Sequence, residues 1–128
     1  MQYVTRMKFH RDAPGGVNLV RGYGPGQLRV GEQVHSSSVI LTATAILAPW
    51  RPASAQDIVI GDFEPLLGLG VEVVLLGTGP RQHFPEPQVL RSLYERQIGI
   101  EVMDTSAACR TFNVLVTEGR LVAAALIV

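Results

Sequence analysis

Only one cysteine, Cys109, occurs in the chain. An intramolecular disulfide is therefore excluded, and the fold must hold without covalent staples, as suits a reducing compartment. Charge of either sign is not in excess: eleven Lys and Arg balance eleven Asp and Glu. Without a basic surplus there is little to neutralise phosphates, so nucleic acid is not expected as a partner. No polybasic cluster marks a lipid surface. The longest apolar runs, such as residues 121–128, fall well short of the roughly 20 residues that span a bilayer, so membrane insertion is not expected. The first residues, Met1 to Met7, contain no apolar signal core, and the chain reads as cytoplasmic. Metal-ligand spacing is missing too. His10, His35 and His83 are scattered, and Cys109 has no second cysteine beside it. Gly22-Tyr23-Gly24-Pro25-Gly26 lacks the further glycine of a dinucleotide fingerprint, and a hairpin rather than a helix follows it, so it reads as a turn. Neither a metal nor a cofactor is expected.

What the sequence does have is apolar mass. Its 128 residues are 47% hydrophobic and 17% charged, against about a quarter charged in an average domain. A chain of this length buries roughly two-thirds of its unfolded surface and is the size of one domain. With no internal repeat, low-complexity tract or linker, residues 1–128 are expected to form a single α/β domain.

The first half reads as strands and turns. Tyr3, Thr5, Met7 and Phe9 alternate along an expected edge strand over 3–9, and Gly15-Gly16 breaks it. Val17–Val20 reads as a strand before the glycine-rich turn. Leu28–Val30 and Gln33–His35 flank Gly31-Glu32 as a hairpin. Val39–Thr44 is rich in β-branched residues and reads as a further strand. The prolines of Pro49-Trp50-Arg51-Pro52 end that block. Asp62–Leu69 predicts a short helix with Asp62 as its N-cap.

The second half changes rhythm. Val71–Leu76 is an almost wholly apolar run, the pattern of a strand buried on both faces. Val89, Leu90, Leu93, Tyr94 and Gln97 share a helical stripe within 85–97, with Gly99 as the expected stop. Ile100–Met103 reads as a strand. Asp104 or Thr105 can cap a helix running to about Glu118, closed by Gly119, and Leu121–Val128 reads as the last strand. This β-α-β-α-β order implies a mixed, largely parallel central sheet with right-handed crossovers, which the β-rich first half joins or covers.

Several of these residues carry a resemblance. Gly22-Tyr23-Gly24, Trp50-x-Pro52, Gly77-Thr78-Gly79, Asp104-Thr105-x-Ala107-Ala108-Cys109-Arg110-Thr111-Phe112-Asn113 and Glu118-Gly119-Arg120 resemble the domain-of-unknown-function family that includes mitochondrial respiratory complex I assembly factor 3. The resemblance extends over nearly the whole chain, and the segment 104–120 is its most specific part. It implies a mixed-sheet α/β fold with helices packed on it, and a role with protein partners. The mitochondrial member assists complex I assembly, and another eukaryotic member is linked to adipocyte differentiation. Respiratory complex I assembly is implied here by that resemblance alone. The family supplies no agreed catalytic set to carry over, and Phe112 stands where a tyrosine is common.

One region collects candidate chemistry. Gly77-Thr78-Gly79 and Asp104-Thr105-Ser106 each follow the carboxyl end of an expected strand, where ligands gather in open α/β sheets. The second also opens a helix, whose first amides attract anions. Thr78, Thr105, Ser106 and Arg110 are therefore candidates to hold an anion, a carboxylate or a partner. Cys109, near Arg110 and one turn into that helix, is a candidate thiolate with His83 as its nearest base, or else a small buried hydrophobe. Asp57, Asp62 and Glu64 form an acidic group in which Asp62 as a cap is the simpler reading. Trp50 is either a buried anchor or an exposed contact. No catalytic constellation stands out. The expected function is a non-catalytic interaction or assembly-factor-like module. The alternative is a small-molecule-binding protein or enzyme using the crevice of Gly77, Thr78, Gly79, Thr105, Ser106, Cys109 and Arg110.

Overall fold

A computed structural model describes residues 8–10 and 16–128. Its main sheet has six strands, in the order β1 (Lys8–His10), β6 (Ile46–Ala48), β5 (Val39–Thr42), β9 (Val122–Leu126), β7 (Val73–Gly77) and β8 (Gly99–Met103). The three C-terminal strands are parallel, with Gly77 in register with both Met103 and Leu126. The N-terminal strands join antiparallel, β5 against β9 and β6 against β5. A separate three-stranded antiparallel sheet is formed by β2 (Val20–Gly24), β3 (Gln27–Val30) and β4 (Gln33–His35). The first half of the chain thus does both things expected of it: part joins the main sheet and part covers it.

The connections decide the layers. From β7 the chain crosses through a 3-10 segment, Pro87–Leu90, and α1 (Arg91–Glu95) to β8, then returns through α2 (Thr105–Thr117) to β9 on the other side of β7. Right-handed crossovers in opposite directions place their helices on opposite faces, and the core divides accordingly. Ala108, Cys109, Phe112 and Val116 of α2 pack with Leu41, Leu75 and Ala124, beneath Val20, Leu28 and Val30 of the small sheet. On the other face, Phe63, Leu66, Leu90 and Leu93 pack with Ile40, Val74, Leu76, Ala123 and Ala125. The period-two alternation of a strand sends Val74 and Leu76 one way and Leu75 the other. Ala123, Ala124 and Ala125 are all fully buried. Their small side chains let both layers approach the middle of the sheet.

Two side-chain amides, Asn113 half-buried and Asn18 buried, bind the small sheet to this frame. Asn113 on α2 accepts from the Val20 amide at 2.8 Å and donates to the Val20 carbonyl at 2.9 Å, pairing with β2 as a neighbouring strand would. Asn18 donates to the carbonyls of Thr42 and Ala45, at 3.0 and 3.2 Å, in the β5–β6 turn.

Several local expectations need correction. The expected strand over 3–9 lies mostly outside the described residues, which include only its Lys8–Phe9 end. The strand expected at Val17–Val20 begins only at Val20 and runs through Gly24. The glycine-rich segment is therefore mostly strand, with its turn confined to Pro25-Gly26, where Gly26 has φ +74°. Val39–Thr44 ends at Thr42. The Thr42 hydroxyl accepts the Ala45 amide and closes a turn into β6, which sequence reading missed. The helix expected at 62–69 is a 3-10 helix over Ile60–Leu66. Asp62 lies inside it and reaches back to accept the Val59 amide at 2.8 Å. The helix at 85–97 ends through Gln97, at φ +58°, rather than through Gly99. Gly99 opens β8 instead.

Candidate functional site

The parallel register places the exits of β7 and β8 on one edge, so Gly77-Thr78-Gly79 and Asp104-Thr105-Ser106 meet. The Thr78 amide donates to the Met103 carbonyl, and the Thr105 amide donates to the Gly79 carbonyl, both at 2.9 Å. The Thr105 hydroxyl completes the junction. It accepts the Gly79 amide at 2.8 Å and donates to the Ile127 carbonyl at 2.7 Å. This one fully buried side chain thereby ties the exits of β7, β8 and β9 together. Gly77 is required beside it. A Cβ there would stand 3.0 Å from Leu126 Cδ2, from Thr105 Cα and from Thr105 Oγ1.

The other candidates divide. Thr78 is buried; its hydroxyl donates to the Arg81 carbonyl at 2.6 Å and accepts the His83 amide at 3.0 Å. Asp104, not Thr105, is the N-cap of α2, accepting the Ala107 amide at 2.8 Å. Arg110 lies on the exposed side of α2, where it donates to Ser106 at 2.7 Å. Cys109 faces the core, and burial pushes its thiol up to about 12, against a smaller downward pull from Arg110. A thiolate at neutral pH is thus disfavoured where the sequence pattern allowed one. His83 lines a different opening, of about 420 Å³, with Gln56, Thr78 and Arg81.

Beside the junction is a cavity of about 340 Å³, bordered by Tyr23, Gly79, Asp104 and Ser106. Asp104 borders it, and its negative charge opposes an anion there. Tyr23, which the sequence placed in a turn and among the residues that carry the family resemblance, borders this cavity, and burial raises its hydroxyl above the ordinary value. The first two segments of the expected crevice therefore come together, with their amides and hydroxyls largely turned inward.

The acidic group of the 57–64 region resolves into two environments. Arg51 bridges Asp62, with two contacts of 2.7 Å, and Asp57, at 3.3 Å. The Asp57 carboxyl is held below its ordinary value, first by the Ala53 amide and then by Arg51. This is a structural ion network rather than an acid–base pair. Trp50 is buried above it; its indole donates to the Asp62 carbonyl at 2.8 Å, and its ring lies 6.0 Å from that of Phe63. Trp50 is an anchor and not a contact residue.

Glu64 belongs elsewhere. It borders a groove of about 510 Å³ between the 3-10 helix Ile60–Leu66 and α1, together with Ile60, Gly61, Leu67, Gly68, Ser92 and Arg96. Sequence reasoning missed this groove because its two walls come from segments far apart in the chain and share no motif. Exposed apolar side chains lie on the same helical layer or the loop entering it: Val59, Ile60, Phe84 and Tyr94. Among the described residues, no group of three or more His, Cys, Asp or Glu is placed to hold a metal ion. No described helix is long and apolar enough to cross a membrane.

Comparison with known proteins gives this geometry a family. The mouse NADH dehydrogenase [ubiquinone] 1 alpha subcomplex assembly factor 3 is 40% identical over 99 residues, covering 76% of this chain and 52% of the mouse protein. The chain thus spans about half the length of the mammalian assembly factor. A 13 kDa major membrane protein of Francisella tularensis is 30% identical, covering 78% of this chain and 80% of that protein. A crystal structure of a Bordetella parapertussis protein superposes with a TM-score of 0.80 at 38% identity, covering 86% of this chain and 94% of the other. The model of the family described as protein of unknown function (DUF498/DUF598) matches residues 20–127, and the chain belongs to that family.

Proposed function

We propose that the protein is a non-catalytic interaction module of assembly-factor type, acting in the cytoplasm through its helical face. The observation that carries this reading is the exposure of four apolar side chains on or beside that layer, Val59, Ile60 and Tyr94 each about half exposed and Phe84 67% exposed. Exposed apolar patches mark surfaces that a partner covers. The mammalian relative is named as an assembly factor for a respiratory enzyme, which supports a protein partner of the same general kind. At the strand exits, by contrast, Thr105 and Gly79 satisfy one another, and Cys109 is buried in the core.

The rival reading places a small anion or carboxylate at Gly77–Gly79 and Thr105–Arg110, as a binding protein or an enzyme. Its support is the cavity beside Gly79 and Ser106, and the Asp104 carboxylate at its edge counts against it. Native affinity capture separates the two. Reproducible co-purification of one protein or subcomplex, lost on Phe84→Asp, is expected. A retained metabolite with only background proteins would overturn the proposal in favour of its rival.

A further inference from the structure

We infer that the outer edge of β8 pairs with the same edge of a second copy of this chain, antiparallel and about a two-fold axis at Ile100. This goes beyond the interaction-module reading and makes no use of the helical face. β8 ends the main sheet, with only β7 beside it. In a parallel ladder, alternate residues bond to the neighbouring strand. Gly99 and Met103 do so here: the Gly99 amide donates to the Glu72 carbonyl, and the Met103 carbonyl accepts the Thr78 amide, both at 2.9 Å. Ile100 and Val102, which alternate with them, therefore turn their backbone groups to the outer edge, and Ile98 just before the strand does the same. Part of that edge is already used. The Ile98 amide donates to the Leu93 carbonyl, and the Val102 carbonyl accepts the Gln82 side-chain amide, both at 2.9 Å. The Ile98 carbonyl, the Ile100 amide and carbonyl, and the Val102 amide have no hydrogen-bond partner among the described residues.

The groups left over are complementary to themselves. A two-fold axis at Ile100 sets the Ile100 amide of each copy against the Ile100 carbonyl of the other, and each Val102 amide against an Ile98 carbonyl. The donor and acceptor that remain in this register, the Ile98 amide and the Val102 carbonyl, are those already bonded within the chain. Other registers lack this match. Any shift of the axis towards Met103 needs the Val102 carbonyl, and any shift towards Ile98 needs the Ile98 amide. An axis at Glu101 would also set that carboxylate directly against its own copy, which is destabilising. With the axis at Ile100, Glu101 stands opposite Gly99 of the other copy, where no side chain competes, and both positions are exposed. Ile100 and Val102 are half-buried on the opposite face, packed on the core of Leu93 and Val74, and the pairing covers more of them. Such a two-fold contact closes on itself, and the Gln82 cap keeps so short an edge from wider pairing.

Gly99 supplies the test. Its φ is not left-handed, and the contacts of an added Cβ begin at 3.5 Å, so a side chain fits there without backbone strain. Gly99→Glu sets like charges opposite each other at both symmetric positions, and Gly99→Lys sets opposite ones. Sedimentation equilibrium over a range of concentrations measures the monomer–dimer constant, on proteins first shown to be folded by circular dichroism. The wild type is expected to dimerise reversibly. Its dissociation constant should rise roughly two- to thirty-fold in Gly99→Glu and fall by a similar factor in Gly99→Lys. Adding Glu101→Lys to Gly99→Lys should abolish that gain. Residue-resolved hydrogen exchange on the wild type needs no variant: the Ile100 and Val102 amides should exchange more slowly as concentration rises. A wild type that stays monomeric, with those amides exchanging at one rate throughout, overturns the inference. So does a dimer that Gly99→Glu and Gly99→Lys shift alike, or one that leaves the Ile100 amide unprotected, which places the contact on another face. A monomeric wild type whose β8 amides are protected only by a different protein overturns it too, while leaving the interaction module standing.

Discussion

Replacing Thr105 by valine tests whether the strand-exit junction is a structural lock or a ligand site. Valine keeps the shape and the β-branch and deletes only the hydroxyl. Two buried backbone groups lose their partner, the Gly79 amide at 2.8 Å and the Ile127 carbonyl at 2.7 Å. Each orphaned group costs about 1–3 kcal/mol, so the expected loss is roughly 2–6 kcal/mol. Thr105→Ser keeps both bonds and loses one methyl, a change worth about 0.5–1.5 kcal/mol. Urea titration of the three proteins, followed by circular dichroism, measures the differences, and an unchanged slope identifies them as stability changes. In a thermal scan each kcal/mol lowers the midpoint by on the order of 3–5 °C for a domain of this size. A Thr105→Val protein within about 0.5 kcal/mol of wild type refutes the lock, as does a serine variant no better than the valine one. Either result would return Thr105 to the ligand candidates.

Gly77→Ala should destabilise by about 1–3 kcal/mol by overpacking, because two of the three atoms at 3.0 Å belong to Thr105 and one of them is backbone. Gly99→Ala is its control: the contacts there begin at 3.5 Å, and a near-neutral result is expected, so equal damage at both sites would refute the close-approach argument. Ser92→Ala removes a buried hydroxyl without a partner, and its urea midpoint should match or exceed that of wild type; a fall of more than about 1 kcal/mol would show that the hydroxyl is bonded. Cys109 has its thiol raised from 9.0 to about 12, so its stabilising effect is fully present below pH 9 and lost as pH rises towards 12. The unfolded chain ionises first, at about 1.4 kcal/mol per pH unit. Cys109→Ala should lose that alkaline slope, and an identical slope in both proteins would place the thiol in contact with solvent.

The C-terminal half was legible because its signals are local. The apolar run expected at Val71–Leu76 and the strand expected at Ile100–Met103 are separated by a helical stripe, and that order implies parallel pairing. From the pairing alone, the meeting of Gly79 and Thr105 follows. The outcome at that meeting did not follow, since the sequence shows that Thr105 opens a helix but not that its hydroxyl is occupied by Gly79 and Ile127. The first half was harder to read. Gly22 and Gly24 sit inside β2, because tertiary pairing with β3 and the Asn113 clamp override their turn preference. The strand β6 is only three residues long, too short for a period to show. Asp62 carries the signature of a cap but lies inside its 3-10 helix, where the Arg51 guanidinium and the Val59 amide hold it. The groove at Ser92 has no sequence signal because a polar atom without a partner is defined only by its neighbours.

The central strand bears on the choice between the sheet edge at the strand exits and the helical surface as the place that meets a partner. β9 is buried at every position and three of its five residues are alanine, so helical layers close on it from both sides. The Thr105 hydroxyl fills the point where the strand exits converge, and the openings of about 340 and 420 Å³ both border Gly79 beside it. In open α/β sheets that convergence is the usual ligand crevice. Here its hydrogen-bonding groups are directed to one another, which favours a rigid junction over a receptive one. On the layer formed by the 3-10 helix and α1, the Glu64 and Arg96 charges and the Ile60 and Tyr94 side chains are exposed. A rigid sheet locked at its exits supplies a fixed base for that layer, and a fixed base reduces the ordering entropy that a docking partner must overcome.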